Sequence, residues 1–166
     1  MKYIPMLLLV GLLAYCCKPT DNQKTANTIS YWQPTSISKS ETLPKEFNSY
    51  KLDFDKLKNH LTTTNKVITP TLGGEYQENH LEESGTMSPE LAAKFPEIKS
   101  YKIIGNDDIV LGRIDINPSG FYLMITDKQT TYYINPVEKK SEYYIVYDKK
   151  YAVKNSDNPF IDKVIK

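Results

Sequence analysis

The sequence predicts an α+β domain, an antiparallel β-meander with one or two short helices packed on one face. Three observations carry this. From Ile98 onward apolar and polar residues alternate in short runs, the period of a half-buried strand. The runs are separated by Gly105-Asn106-Asp107-Asp108, Asn117-Pro118-Ser119-Gly120 and Asp127-Lys128-Gln129, which read as hairpin turns. Helical spacing of apolar residues occurs at two places, Phe54/Leu57/Leu61 and Leu91/Phe95.

The chain opens on an address. Met1-Lys2 is a short positive start, and Ile4 to Ala14 is an apolar run too short to span a bilayer as a stable helix. It ends at Cys16-Cys17, as in a bacterial lipoprotein signal, so residues 1–15 are expected to be a signal peptide. Cys16 (or Cys17) is the expected lipidation site, and the protein is expected to be exported and anchored through an N-terminal lipid, or secreted if not acylated. Cleavage before Cys16 removes Lys2 and no acid, so the formal charge falls from +1 to 0. No cysteine follows Cys17, so the core alone must stabilise the domain. Residues 16–46, rich in Thr, Ser, Asn, Lys and Pro, read as a flexible tether, with Tyr31-Trp32 as a segment that can dock back.

The folded domain is expected over 47–151. Tyr50, Leu52 and Phe54 share one strand parity. Asp53 or Asp55 then caps a helix bearing Phe54, Leu57 and Leu61. Val67 to Leu72 reads as a strand with Pro70 at an edge, Gly73-Gly74 as a turn, and Glu75 to Glu82 as an exposed strand. In Met87-Ser88-Pro89-Glu90-Leu91-Ala92-Ala93-Lys94-Phe95-Pro96, Ser88 caps a helix, Pro89 fits its first turn and Pro96 ends it. Leu91 and Phe95, at i and i+4, are expected to be buried against the sheet face that carries Ile114 and Ile116. Ile98–Ile104 then enters a strand. Val110, Gly112, Ile114 and Ile116 share one face of the next, with Arg113, Asp115 and Asn117 on the other. Asp108 and Arg113 are expected to form an ion pair that pins the Gly105–Asp108 turn. Pro118 presets a turn and Gly120 supplies its exit conformation. Phe121/Leu123/Ile125, Tyr132–Ile134 and Tyr143–Tyr147 complete the meander, and 152–166 reads as a C-terminal tail.

Composition narrows the function. The chain has 166 residues, 40% hydrophobic and 25% charged, as in one ordinary globular domain. A net charge of +1 with one arginine argues against nucleic acid as a partner. The only histidines are His60 and His80, and no H-E-x-x-H spacing joins them. There is no G-x-S-x-G, no P-loop and no EF-hand spacing around Asp107-Asp108. No catalytic residue, metal or cofactor is therefore assigned, and the chain is not expected to be an enzyme. Tyrosine is abundant, with thirteen in the chain. Tyr-rich strands either fill a half-buried sheet or line a sugar- or protein-binding surface.

"LPKEFNSYKLDFDKLKNHL", "MSPELAAKFPEIKSY", "DDIVLGRIDINPSGFYLMI", "TTYYINP" and "EYYIVYDK", in that order over residues 43–151, resemble the N-terminal propeptide region of secreted reprolysin-like (metzincin) zinc metalloproteases of Bacteroidetes. In those proteases a catalytic domain bearing H-E-x-x-H-x-x-G-x-x-H follows, and that motif is not in this sequence. The resemblance implies a propeptide-like module without protease activity, and it carries over no catalytic residue. It makes a metzincin-type metalloprotease the expected partner, bound as inhibitor or folding chaperone. The alternatives are a Tyr-rich surface-binding lipoprotein for a glycan or cell-surface partner, and a remnant of a truncated metalloprotease.

Overall fold

Alternation along each strand sets one face toward a common interior, and the sheet curls around it. The computed structural model describes residues 31–85, 87–153 and 159–160. The signal segment, Cys16, Cys17, the tether up to residue 30 and most of the tail lie outside the described residues. In order the elements are β1 (Trp32–Thr35), β2 (Asn48–Leu52), α1 (Phe54–Leu61), β3 (Lys66–Pro70), β4 (Tyr76–Glu83), α2 (Pro89–Lys94), β5 (Lys99–Ile104), β6 (Val110–Asn117), β7 (Gly120–Asp127), β8 (Thr130–Pro136) and β9 (Tyr143–Asp148). Strands β3 to β9 form a continuous antiparallel meander. The β1–β2 hairpin adds to its far side by pairing β2 with β9, giving the order β1-β2-β9-β8-β7-β6-β5-β4-β3. This is the expected α+β class.

The local reasons are those of the sequence. Asp53 caps α1 by accepting from the Lys56 N–H at 3.0 Å. α1 buries Leu57 completely, with Phe54 and Leu61 packed beside it. At the β6–β7 turn, Asn117 Oδ1 accepts from the Ser119 N–H at 2.7 Å, with Pro118 between them. Gly120 takes a φ of 143°, and a β-carbon there would lie 3.0 Å from the Tyr144 hydroxyl. At Gly112 the β7 backbone comes so close that a β-carbon would run into the Met124 carbonyl. Both faces of β7 to β9 are apolar. One lines the interior with Phe121, Leu123, Ile134, Tyr144 and Val146, and the other carries Tyr133, Ile145 and Tyr147. The outer face of β3 to β5 is solvated instead, with cross-strand pairs Lys66–Glu78 and Lys102–Glu82, while the Lys99–Glu83 pair lies on the parity of Leu81 and Ile103 where β4 ends and β5 begins.

The tether does not extend to residue 46. Tyr31 and Trp32 are core residues, and Trp32 lies edge-on to Tyr50, Phe121 and Tyr144 at 5.5 to 6.3 Å between ring centroids. Ile37, Leu43 and Phe47 cover the outer cluster of Tyr133, Ile145 and Tyr147. Within residues 31–47 this polar segment is thus fixed because Tyr31, Trp32, Ile37, Leu43 and Phe47 all meet apolar surface. The tail is anchored in part as well, through Ala152 and Phe160 on the same cluster.

The two edge strands face each other across a seam. The Ile68 N–H of β3 donates to the Tyr31 hydroxyl at 2.7 Å, and the Trp32 indole N–H donates to the Ile68 carbonyl at 2.9 Å. Asn48 Nδ2 reaches the Leu72 carbonyl at 2.8 Å. Side chains therefore close a nearly complete barrel where no backbone ladder does. Pro34 in β1 and Pro70 in β3 remove donors from both edges, which blunts them against pairing with another chain.

Candidate functional site

The β4–β5 connection is where sequence and structure disagree most. Ser88 caps α2 through its hydroxyl, which accepts from the Leu91 N–H at 3.4 Å, and Pro89 occupies the first turn. Phe95 closes it, donating its N–H to the Leu91 carbonyl at 2.9 Å, and Pro96 prevents continuation. These parts are as expected, but the burial is not. Leu91 is 48% exposed and Phe95 38% exposed, and α2 buries no residue. The helix was expected to pack on the face of Ile114 and Ile116. That face is the barrel interior, already filled by Trp32, Phe121, Leu123 and Leu57. A sheet that closes on itself leaves no inner face for an outside helix. Only α1, of the two helices, packs on the sheet.

Every residue from Ser88 to Glu97 is exposed. The surface carries two large apolar side chains four residues apart, with Lys94 Nζ over the Phe95 ring at 5.7 Å. Glu90 and Glu97 flank them.

Arg113 does not reach Asp108. Its Nε donates to Asp115 Oδ1 at 2.9 Å, and its Nη2 lies 3.4 Å from the Ser100 hydroxyl, which donates to the same carboxylate oxygen at 2.6 Å. Arg113 and Asp115 stand two residues apart on the outer face of β6, and Ser100 is the β5 residue opposite Asp115. The guanidinium lies along its own strand, away from the turn. The turn holds itself with the Gly105 N–H to Ile109 carbonyl bond at 2.8 Å, while Asp107 and Asp108 take positive φ of 57° and 58°. Asp residues tolerate that region better than most. The shared face of Arg113 and Asp115 follows from the alternation of β6, and it is this same-face pair, instead of Arg113 with Asp108, that forms.

Among the described residues no group of three or more His, Cys, Asp or Glu is placed to hold a metal ion. His60 lies on α1 with its ring 5.6 Å from that of Tyr31, and His80 lies on the solvated face of β4. Glu78 is held below the usual carboxylate range, first by its hydrogen bond from Lys66. A groove of about 420 Å³ runs between Glu41–Pro44 and Pro136–Lys139. Its floor includes Tyr122 and Tyr147, 4% and 2% exposed, so neither ring face is open for stacking on a sugar. No helix among the described residues is long and apolar enough to cross a membrane.

No protein-family model, curated protein or solved structure matches the chain.

Proposed function

We propose that the chain is a non-catalytic, propeptide-like binding module that docks on a metzincin-type metalloprotease through the β4–β5 connection, as inhibitor or folding chaperone. The observation that carries this reading is the exposure of Leu91 and Phe95 on a helical turn capped at both ends. Large apolar side chains four residues apart on an exposed helical turn and its C-cap are spaced as the anchors used when a helix enters an apolar groove. A few such anchors supply most of the energy of an interface. The resemblance in the sequence supplies the class of partner. A lipid on Cys16 or Cys17 would hold the module at the cell envelope, where a secreted protease passes.

The Tyr-rich glycan platform draws less support. Tyr31, Tyr50, Tyr122, Tyr132, Tyr133, Tyr144 and Tyr147 are buried, while Tyr76 and Tyr143 are exposed singly. Tyrosine serves mainly to fill this sheet. A remnant without activity would bind no protease at all.

The test is substitution at the anchors. Leu91→Ala and Phe95→Ala are each expected to weaken binding to a purified reprolysin-like catalytic domain by about tenfold or more. Neither is expected to move the melting curve appreciably, because neither side chain is in the core.

A further inference from the structure

The hairpin turns of the meander at Asn117–Gly120 and Asp127–Thr130 are tight, whereas the β4–β5 connection runs from Ser84 to Ile98. Six-residue α2 has all its residues exposed, and at its ends the Ala92 N–H donates to the Ser88 carbonyl, the Phe95 N–H to the Leu91 carbonyl and the Leu91 N–H to the Ser88 hydroxyl. A helix this short does not sustain itself in water, because nucleation costs more than one turn of bonds returns. Opening it sacrifices no buried contact, so it sits at the low end of local stability.

We propose that residues 88–97 are a processing site for an endopeptidase that seats a large apolar side chain on the C-terminal side of the cut bond. Hydrolysis then falls at Glu90–Leu91 or Lys94–Phe95. An endopeptidase takes its substrate as an extended strand, and this segment extends without disturbing the barrel. Phe95 has already left the helical region, at φ −130° and ψ 65°, so the Lys94–Phe95 bond needs the least unwinding. Pro96 stands second after the Lys94–Phe95 bond and has no N–H to give to an enzyme's strand, which offsets that advantage and keeps Glu90–Leu91 as the other bond. In the cut the oxygen of water bonds to the carbonyl carbon and the C–N bond breaks. A proton passes to the leaving nitrogen, and the new ends ionise to a carboxylate and an ammonium.

The two pieces remain assembled. One carries β1 to β4 and the other β5 to β9. They are joined by the β4–β5 ladder from His80↔Ile104 to Glu83↔Tyr101 and by the β2–β9 ladder. Trp32 of the first piece packs on Phe121 and Tyr144 of the second. The other exposed apolar pair, Ile109 and Val110, is protected differently. The Ile109 carbonyl accepts from Gly105, and Val110 pairs with Ile104, so extending that turn dismantles ladder. The inference shares its loop with the proposed docking but does not need that partner. A loop that resists cutting would leave the docking test of Leu91 and Phe95 untouched.

The experiment is limited proteolysis of the full chain with thermolysin, a zinc endopeptidase that cuts before large apolar residues. Fragments are read by mass spectrometry and size exclusion. Within residues 31–153 the first cut is expected at Glu90–Leu91 or Lys94–Phe95, with both pieces eluting together at the uncut size. The L91S/F95S double variant should slow that cut by about tenfold or more at an unchanged melting temperature, as expected when cleavage reads local opening and side-chain fit. Ile109→Ser should leave the rate as it is. A first cut elsewhere in 31–153, fragments that separate, or a double variant cut at the original rate would overturn the proposal.

Discussion

Two buried tyrosines, Tyr144 and Tyr132, differ in what their hydroxyls meet. The Tyr144 hydroxyl accepts from the Phe121 N–H at 3.1 Å. The Tyr132 hydroxyl is buried with no hydrogen-bond partner, on a residue 3% exposed. Removing a partnered buried hydroxyl orphans its donor, which costs about 1–3 kcal/mol, whereas removing an unpartnered one relieves a desolvation cost. Tyr144→Phe is therefore expected to lower stability by about that amount, and Tyr132→Phe to leave it unchanged or raise it. Urea unfolding of both variants reads the difference. At this scale the sequence was legible only in part. The parity of Tyr144 and Tyr132 could be read from alternation, but the partner of each hydroxyl depends on which strand lies across the barrel. Leu91 and Phe95 illustrate the same limit. Their spacing marks one helix face, and spacing does not say whether that face meets a core or a partner.

Strands β5 to β9 were legible because each alternates and each is closed by a turn of Gly, Pro, Asn or Asp. β1 was not, because Trp32-Gln33-Pro34-Thr35 is four residues long, contains proline and sits in polar sequence. Its place comes from tertiary contacts: two side chains that bond the backbone N–H and carbonyl of one residue of β3, Ile68, and an indole that fills the barrel. Those two contributions separate by substitution. Trp32→Phe keeps an aromatic ring but loses the donor to the Ile68 carbonyl, and should cost about 1–3 kcal/mol. Trp32→Ala also empties the centre of the aromatic cluster and should cost about 3–5 kcal/mol. The second is a large share of the stability of a domain this size, and denaturant midpoints at constant slope would show the order.

For the molecule as a whole, the buried tyrosines set an alkaline limit. Burial pushes Tyr31, Tyr132 and Tyr144 up from 10.0 to about 12, in Tyr31 and Tyr144 despite a backbone N–H that favours the phenolate. A phenol with a raised folded value binds its proton more tightly folded than unfolded. Its contribution is complete below pH 10, falls as the unfolded chain begins to ionise, and is lost as pH rises through about 12. Cooperative unfolding is expected in that window, with phenolate absorbance and loss of β-sheet circular dichroism rising together. Absorbance that climbs well before the dichroism changes would place those rings in water.

The same nearly closed barrel that buries the tyrosines excludes α2 from the core and leaves Leu91 and Phe95 facing solvent. Whether that exposure serves a partner is decided by one titration. Increasing amounts of the chain are added to a purified reprolysin-like catalytic domain, and binding is followed alongside peptide hydrolysis, for the wild type and for L91A/F95A. Saturable binding by the wild type, lost in a double variant whose melting temperature is unchanged, is the expected result. No binding by the wild type, or equal binding by the double variant, would contradict a docking role for this turn.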